Sequence, residues 1–259
     1  MLLLAIDIGN SSINIGFFSG SDILGRLKIP ARPVMAIEEY RSEIDVLLSK
    51  KAIEKPLNGV IISSVVPEVT GILKGSVREL SLREPMILNT SLNTGLSFDV
   101  DRPDEIGSDR IADVVAAREK FGDPVVVIDF GTATTISACK NGKFLGGSIL
   151  PGLGLMADAL HRKTSRLPQV DIGSELVGQR DIPAIGRDTN KCIISGIIYG
   201  TAGAVERLTA EMEMEKECDF RVVITGGYSG LIARLLKRDF YLEPDLTLNG
   251  LRLIYERNA

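Results

Sequence analysis

The chain has 259 residues, 44% hydrophobic and 25% charged, with a formal net charge of −4; this is enough apolar sequence for one large domain or two of about 120–130 residues. The acidic balance provides no global basic field and argues against nucleic acid as the main partner, and the apolar runs are too short to cross a bilayer. His161 is the only histidine, which excludes a multi-histidine metal site, and Cys139, Cys192 and Cys218 are far apart with no C-x-x-C, as expected of reduced thiols in a cytoplasmic protein.

Leu2–Ile6 is an apolar run with no basic segment before it, so it reads as a strand and not a signal peptide. Ile13–Phe18 alternates, Gly20-Ser21-Asp22 signals a turn, and Ile23–Ile29 follows as a third strand. Residues 34–50 carry helical spacing at Ile37, Tyr40, Ile44, Leu47 and Leu48. Gly59–Val66 is a continuous apolar strand stopped by Pro67. A helix over Val69–Leu80 and a strand over Pro85–Leu88 come next. Residues 93–109 are rich in Gly, Asp and Pro and read as a functional loop, and Arg110–Phe121 as a helix. The pattern then restarts. Pro124–Ile128 is a strand with its turn at Asp129, Thr134–Lys140 is a second, Asn141-Gly142 marks a hairpin, and Phe144–Ile149 is a third. Helices are expected over Leu153–His161, Lys191–Glu217 and Tyr228–Leu236, a strand over Val222–Thr225, and a strand or short helix over 246–255. Each half thus opens with a β-meander and continues with alternating helices and strands, a mixed α/β layer repeated twice. The boundary falls near residue 120.

The repeat extends to chemistry. Asp7-Ile8-Gly9-Asn10-Ser11-Ser12 follows the first strand and Asp129-Phe130-Gly131-Thr132-Ala133-Thr134-Thr135 the equivalent strand of the second half. Glycine lets the backbone turn tightly and bring N–H groups near phosphate. Asn, Ser and Thr add donors, and an aspartate at the strand end can hold a cation or its water shell. Two such hairpins, one per half, are suited to gripping a nucleotide triphosphate from both sides of a cleft. A lone copy is weak, because strand-to-turn junctions favour Asp and Gly anyway. In Gly107-Ser108-Asp109-Arg110, Asp109 has two readings, a proton acceptor for an alcohol nucleophile or, like Ser108, an N-cap for the helix that follows. Arg110 suits bidentate carboxylate binding or a plain surface position.

These hairpins, with Thr225-Gly226-Gly227, resemble the acetate kinase, sugar kinase, Hsp70 and actin superfamily. More narrowly, the chain resembles the type III pantothenate kinases. The resemblance rests on D-I-G-N-S (7–11), S-S-V-V-P (63–67), P-x-x-I-G-S-D-R (103–110), D-F-G-T-A-T-T (129–135), G-G-S-I-L-P-G (146–152), T-S-R-L-P (164–168), I-G-R-D-T (185–189) and the tail L-T-L-N-G-L-R-L-I-Y-E-R-N (246–258). It implies two duplicated ribonuclease H-like, actin-like ATPase halves, residues 1–120 and 121–259. It implies ATP-dependent phosphorylation of pantothenate to 4'-phosphopantothenate, the first step of coenzyme A synthesis. Asp109 then accepts the proton. Asp7, Ile8, Gly9, Asn10, Ser11, Ser12, Ile13, Asn14 and Thr132 handle ATP with Mg2+. Val100, Gly107, Ser108, Asp109, Arg110 and Thr189 line the pantothenate site, and Asp129 is tied to a monovalent cation, K+ or NH4+. The resemblance further implies a cytoplasmic homodimer, with no nucleic-acid or membrane partner. Val100 stands where the family commonly carries an aromatic, Asp113 where it carries Asn, and Ser11 replaces a frequent Thr. Asp113, one helical turn past Asp109, is expected to raise the pKa of that carboxyl or repel an anionic substrate. The alternatives are a kinase for another small alcohol and a non-catalytic nucleotide-binding regulator; a regulator would have no use for a base and an arginine beside phosphate loops.

Overall fold

The computed structural model describes residues 1–53, 56–81, 83–175 and 182–259. The chain forms two compact units. One contains Met1–Lys120, Gly142–Phe144 and Asp245–Ala259, the other Phe121–Asn141 and Leu145–Pro244. The last helix therefore packs with the first unit, although the sequence reading counts it with the second half.

The first unit runs β1 (Leu2–Ile8), β2 (Ser12–Ser19), β3 (Asp22–Pro30), α1 (Ile37–Lys50), β4 (Gly59–Ser64), α2 (Pro67–Val77), β5 (Met86–Ile87), β6 (Ser97–Phe98) and α3 (Ser108–Phe121). Its sheet has the order β3-β2-β1-β4-β5. β1 pairs antiparallel with β2 and parallel with β4. β1 is the central strand of this sheet, and helices pack on both of its faces, so Leu3, Leu4, Ala5, Ile6 and Ile8 are all buried. β3, at the sheet edge, buries only Gly25 and Ile29. Pro67 opens α2, where its missing N–H and fixed φ cost nothing.

Side-chain alternation along β1 decides what each face meets. Leu4, Ile6 and Ile8 share a core with Tyr40, Ile44, Val69 and Leu73, from α1 and α2. Leu3 and Ala5 share another with Ile111, Ala112 and Val115 of α3 and with Leu248, Leu251, Ile254 and Tyr255. Asp7 has the parity of Leu3 and Ala5, so it lies on the α3 face.

The second unit repeats the plan: β7 (Val125–Phe130), β8 (Ala133–Lys140), β9 (Lys143–Pro151), α4 (Leu153–Lys163), α5 (Ile172–Glu175), α6 (Thr189–Lys216), β10 (Arg221–Thr225), α7 (Ser229–Ile232) and β11 (Tyr241–Leu242). The strand order is β11-β10-β7-β8-β9, the order of the first unit read from the other end. β7 pairs antiparallel with β8 and parallel with β10. Lys143 and Phe144, which belong to the first unit, pair in parallel with Ser97 and Phe98 of β6. The long helix α6 is capped by Asp188, whose side chain accepts from the Lys191 amide, and it ends on Glu217 in the left-handed region. Its apolar face, with Ile193, Ile194, Ile197, Ile198 and Val205, covers β7, β8 and β10.

Two expectations are corrected and one open alternative is settled. The helix expected over Tyr228–Leu236 is only Ser229–Ile232. The ambiguous tail is a helix, α8 (Leu246–Asn258). Asp129, expected at the turn, lies within β7 one residue before the strand ends, as Asp7 does in β1.

Candidate active site

Each unit places an aspartate at the same point of its sheet. Asp7 lies opposite Asn14 on β2 and Ser63 on β4; Asp129 lies opposite Thr135 on β8 and Thr225 on β10. In both cases an acid on the central strand faces hydroxyl or amide side chains on its two neighbours. The hairpin turns that follow are closed by glycine amides. Gly9 donates to the Ser12 carbonyl at 3.0 Å and Gly131 to the Ala133 carbonyl at 3.1 Å. Asn10 and Ser11 are exposed at the first turn and Thr132 at the second, while Ile8 and Ile13 are buried under the first and serve as core.

In the first unit the α3 turn comes to the Asp7 side of the sheet. Ser63 Oγ donates to Asp7 Oδ1 at 3.0 Å and lies 2.9 Å from Ser108 Oγ. Ser108 Oγ accepts from the Ser64 amide at 2.9 Å. Ser108 is thus buried and bound to β4, which orients the turn from behind. Asp109, the next residue, accepts from the Arg110 amide at 2.8 Å. Gly107 leaves room for that carboxylate, since a Cβ there would fall 2.4 Å from Asp109 Oδ1.

Burial shifts both carboxyls, and the Asp109 charge also acts on Asp7. Burial, and after it the neighbouring Asp109 charge, push Asp7 up to about 7, against hydrogen bonds from Ser63 and Asn14. Burial also raises Asp109, opposed by the Arg110 amide and guanidinium. Burial lowers Arg110, while Asp109 and Asp113 act to raise it. Its guanidinium carbon stands 5.5 Å from the centre of the Phe144 ring, a cation–π distance. A pair of acids held up by burial is poised to accept a proton or to take on positive charge.

Asp113 has a partner on α8. It is buried, accepts from Thr247 Oγ1 of α8 at 2.7 Å, and its charge acts on Arg110. Val100 is half-buried in the bend after β6.

In the second unit Gly226 adopts φ +93°, and a Cβ there would meet Asp129 Oδ1 at 2.2 Å and the Phe130 backbone at 2.6 Å. Glycine is thus required for this turn to lie against the end of β7. Gly152 is required similarly, with a Cβ 2.3 Å from the Thr132 carbonyl oxygen; its amide donates to that oxygen at 3.1 Å. Thr189 is exposed at the first turn of α6. No cluster of three or more His, Cys, Asp or Glu side chains exists among the described residues. The side chains opposite Asp129 on its neighbouring strands, Thr135 and Thr225, offer hard oxygen donors of the kind that suit a hard cation.

Sequence reasoning gave no role to Ser63 or Thr225. Both sit at the ends of apolar runs and look like core, and their meaning appears only through cross-strand register.

Comparison with known proteins agrees with this arrangement. The type III pantothenate kinase family matches residues 3–211. The type III pantothenate kinase of Moorella thermoacetica is 37% identical with all of both chains covered, and that of Roseiflexus castenholzii 40% identical over 99% of each. Among solved structures, the activator of 2-hydroxyisocaproyl-CoA dehydratase from Clostridium difficile superposes over 99% of this chain and 96% of its own, with a TM-score of 0.57 at 15% identity. The inorganic polyphosphate/ATP-glucomannokinase from Arthrobacter covers 99% of both chains, with a TM-score of 0.51 at 15% identity. These likenesses establish the actin-like ATPase fold, built from two ribonuclease H-like halves. The sequence matches go further, and the chain belongs to the type III pantothenate kinase family.

Proposed function

We propose that the chain transfers the γ-phosphoryl group of ATP to the primary hydroxyl of pantothenate, giving 4'-phosphopantothenate and ADP, the first step of coenzyme A synthesis. Beyond family membership, one observation carries the reading: the carboxylates of Asp7 and Asp109 share one face of the first unit, with Arg110 beside the second. Phosphoryl transfer asks a protein for position and charge neutralisation more than for covalent chemistry. Asp109 accepts the hydroxyl proton as the new O–P bond forms and the bond to ADP breaks, and its raised pKa brings its basicity toward that task. Arg110 stays cationic and binds the pantothenate carboxylate. Gly107, Ser108 and Val100 shape that pocket, and Thr189 adds a hydroxyl to it.

Residues Asp7–Asn14 and Thr132 bind the ATP phosphates through turn amides and side-chain donors. A divalent ion on ATP supplies charge neutralisation, and Asp7 meets its water shell. Asp129 holds a potassium or ammonium ion. The protein works as a cytoplasmic homodimer. The test is a coupled ATP-consumption assay over a panel of small alcohols. Turnover with pantothenate well above the rest is expected; another preferred alcohol, or nucleotide binding without turnover, would replace this reading.

A further inference from the structure

Taking the kinase reading as given, we propose that Ser63 is a positioning residue for phosphoryl transfer, fixing the Asp7 carboxylate against the turn that presents Asp109. The Ser63 side chain is fully buried, and so is most of Ser108. The Ser64 amide can only donate, and it points to Ser108 Oγ at 2.9 Å. Ser63 Oγ donates to Asp7 Oδ1 at 3.0 Å, leaving its lone pairs for Ser108 Oγ, 2.9 Å away. The one Ser108 hydroxyl hydrogen has two acceptors, Ser63 Oγ at 2.9 Å and the Ser64 carbonyl at 3.2 Å; directed to the nearer Ser63, it completes a run of donors from the β4 amide through two hydroxyls to the carboxylate, and such chains strengthen one another in a dry interior. This relay spans the parts that must keep register: β1, which carries Asp7, and the start of α3, which carries Asp109.

The second unit supports the reading independently. Its β10 places Thr225, also buried, opposite Asp129. A hydroxyl on the fourth strand facing the central aspartate therefore recurs in the same register, although the neighbouring sequences, Ile62-Ser63-Ser64 and Ile224-Thr225-Gly226, differ. Apolar residues would fill these interior strand positions at lower cost, since a buried hydroxyl needs a partner.

The experiment compares the full-length wild type with Ser63→Ala, Ser63→Thr and Ser108→Ala. It uses steady-state kinetics with pantothenate and MgATP, together with amide exchange of Ser64 and the first turn of α3. The expected result for Ser63→Ala is a kcat lower by about 10- to 100-fold, the scale of a small misplacement of catalytic groups. KM for both substrates should stay within about threefold, with faster exchange at the α3 start. Ser63→Thr keeps the hydroxyl and should restore most of kcat. A Ser63→Ala enzyme within twofold of wild-type kcat, or Ala and Thr variants equally impaired, would overturn the proposal. If the wild type turns over no pantothenate while exchange still rises in Ser63→Ala, the kinase reading fails and the tether stands. If exchange is unchanged, the tether fails whatever the activity.

Discussion

Three side chains on the first unit differ in what their charge does. Asp109→Asn removes the proton acceptor but not the volume, and its carboxylate is already disfavoured by burial. The variant should fold normally and lose about 10²- to 10⁴-fold in kcat; near wild-type turnover would refute the base assignment. Asp7 makes a prediction about pH. Its folded pKa of about 7 exceeds the ordinary 3.8, so the folded state holds the proton more tightly than the unfolded. The carboxyl therefore contributes stability only at low pH, and that contribution is lost as pH rises from about 4 through 7. Asp7→Asn, neutral throughout, should melt higher than wild type at pH 8, by roughly 2–4 °C for each kcal/mol recovered. Near pH 4 the two should coincide. Equal melting temperatures at pH 8 would show that Asp7 ionises freely. Asp113 has a further effect that the sequence reading did not assign, since its charge acts to raise the Arg110 pKa. Asp113→Asn should therefore raise KM for pantothenate a few-fold with kcat little changed; a lowered KM would restore the idea that Asp113 repels the substrate.

At the scale of elements, α8 packs on α3 because Gly250 lets the two backbones meet. A Cβ at this position would fall 1.9 Å from the Ala112 carbonyl oxygen and 2.4 Å from its carbon. Backbone cannot yield as a side-chain tip can, so Gly250→Ala should cost about 1–3 kcal/mol, the range for overpacking, read from denaturant melts. An unchanged midpoint would mean that α8 slides without penalty. This helix also shows where sequence was ambiguous. Leu246, Leu248, Leu251 and Ile254 fit strand alternation at one end and helical spacing at the other, and the deciding contacts with Ala112 and Val115 are far away in sequence. The meanders were legible, because β1 and β7 are continuous apolar runs between turn signals. α5 and β11 were not, being too short to show a period. The helix read across Tyr228–Leu236 was cut to Ser229–Ile232 because the local apolar pattern continues past the point where the backbone turns.

For the whole molecule, the duplication that is visible in sequence holds at the level of strand register, and its two halves are chemically unequal. The D-x-G motifs pointed to Asp7 and Asp129 because the pattern recurs on the equivalent strand of each half, a single copy being common at strand-to-turn junctions, and the family resemblance of the G-S-D-R turn pointed to Asp109. Ser63 and Thr225 stand in motifs that carry the family resemblance but drew no role of their own, since a hydroxyl in an apolar strand gains meaning only from the residue across the ladder. Asp7 has a second carboxylate, Asp109, acting on it, which suits the side of the reaction where protons and a hydrated divalent ion are handled. Asp129 stands among Thr135, Thr225 and the Gly226 turn, oxygen donors of low charge. Under the proposal that Asp129 holds a monovalent cation, the ion would offset negative charge on the phosphate oxygens. Initial rates at equal ionic strength should then be at least tenfold higher in potassium or ammonium than in sodium. Asp129→Asn should lower the potassium rate toward the sodium rate, whereas Asp7→Asn should be impaired in every salt. Equal wild-type rates in sodium and potassium would remove the monovalent ion from the mechanism. A residual potassium preference in Asp129→Asn would move the ion to other ligands.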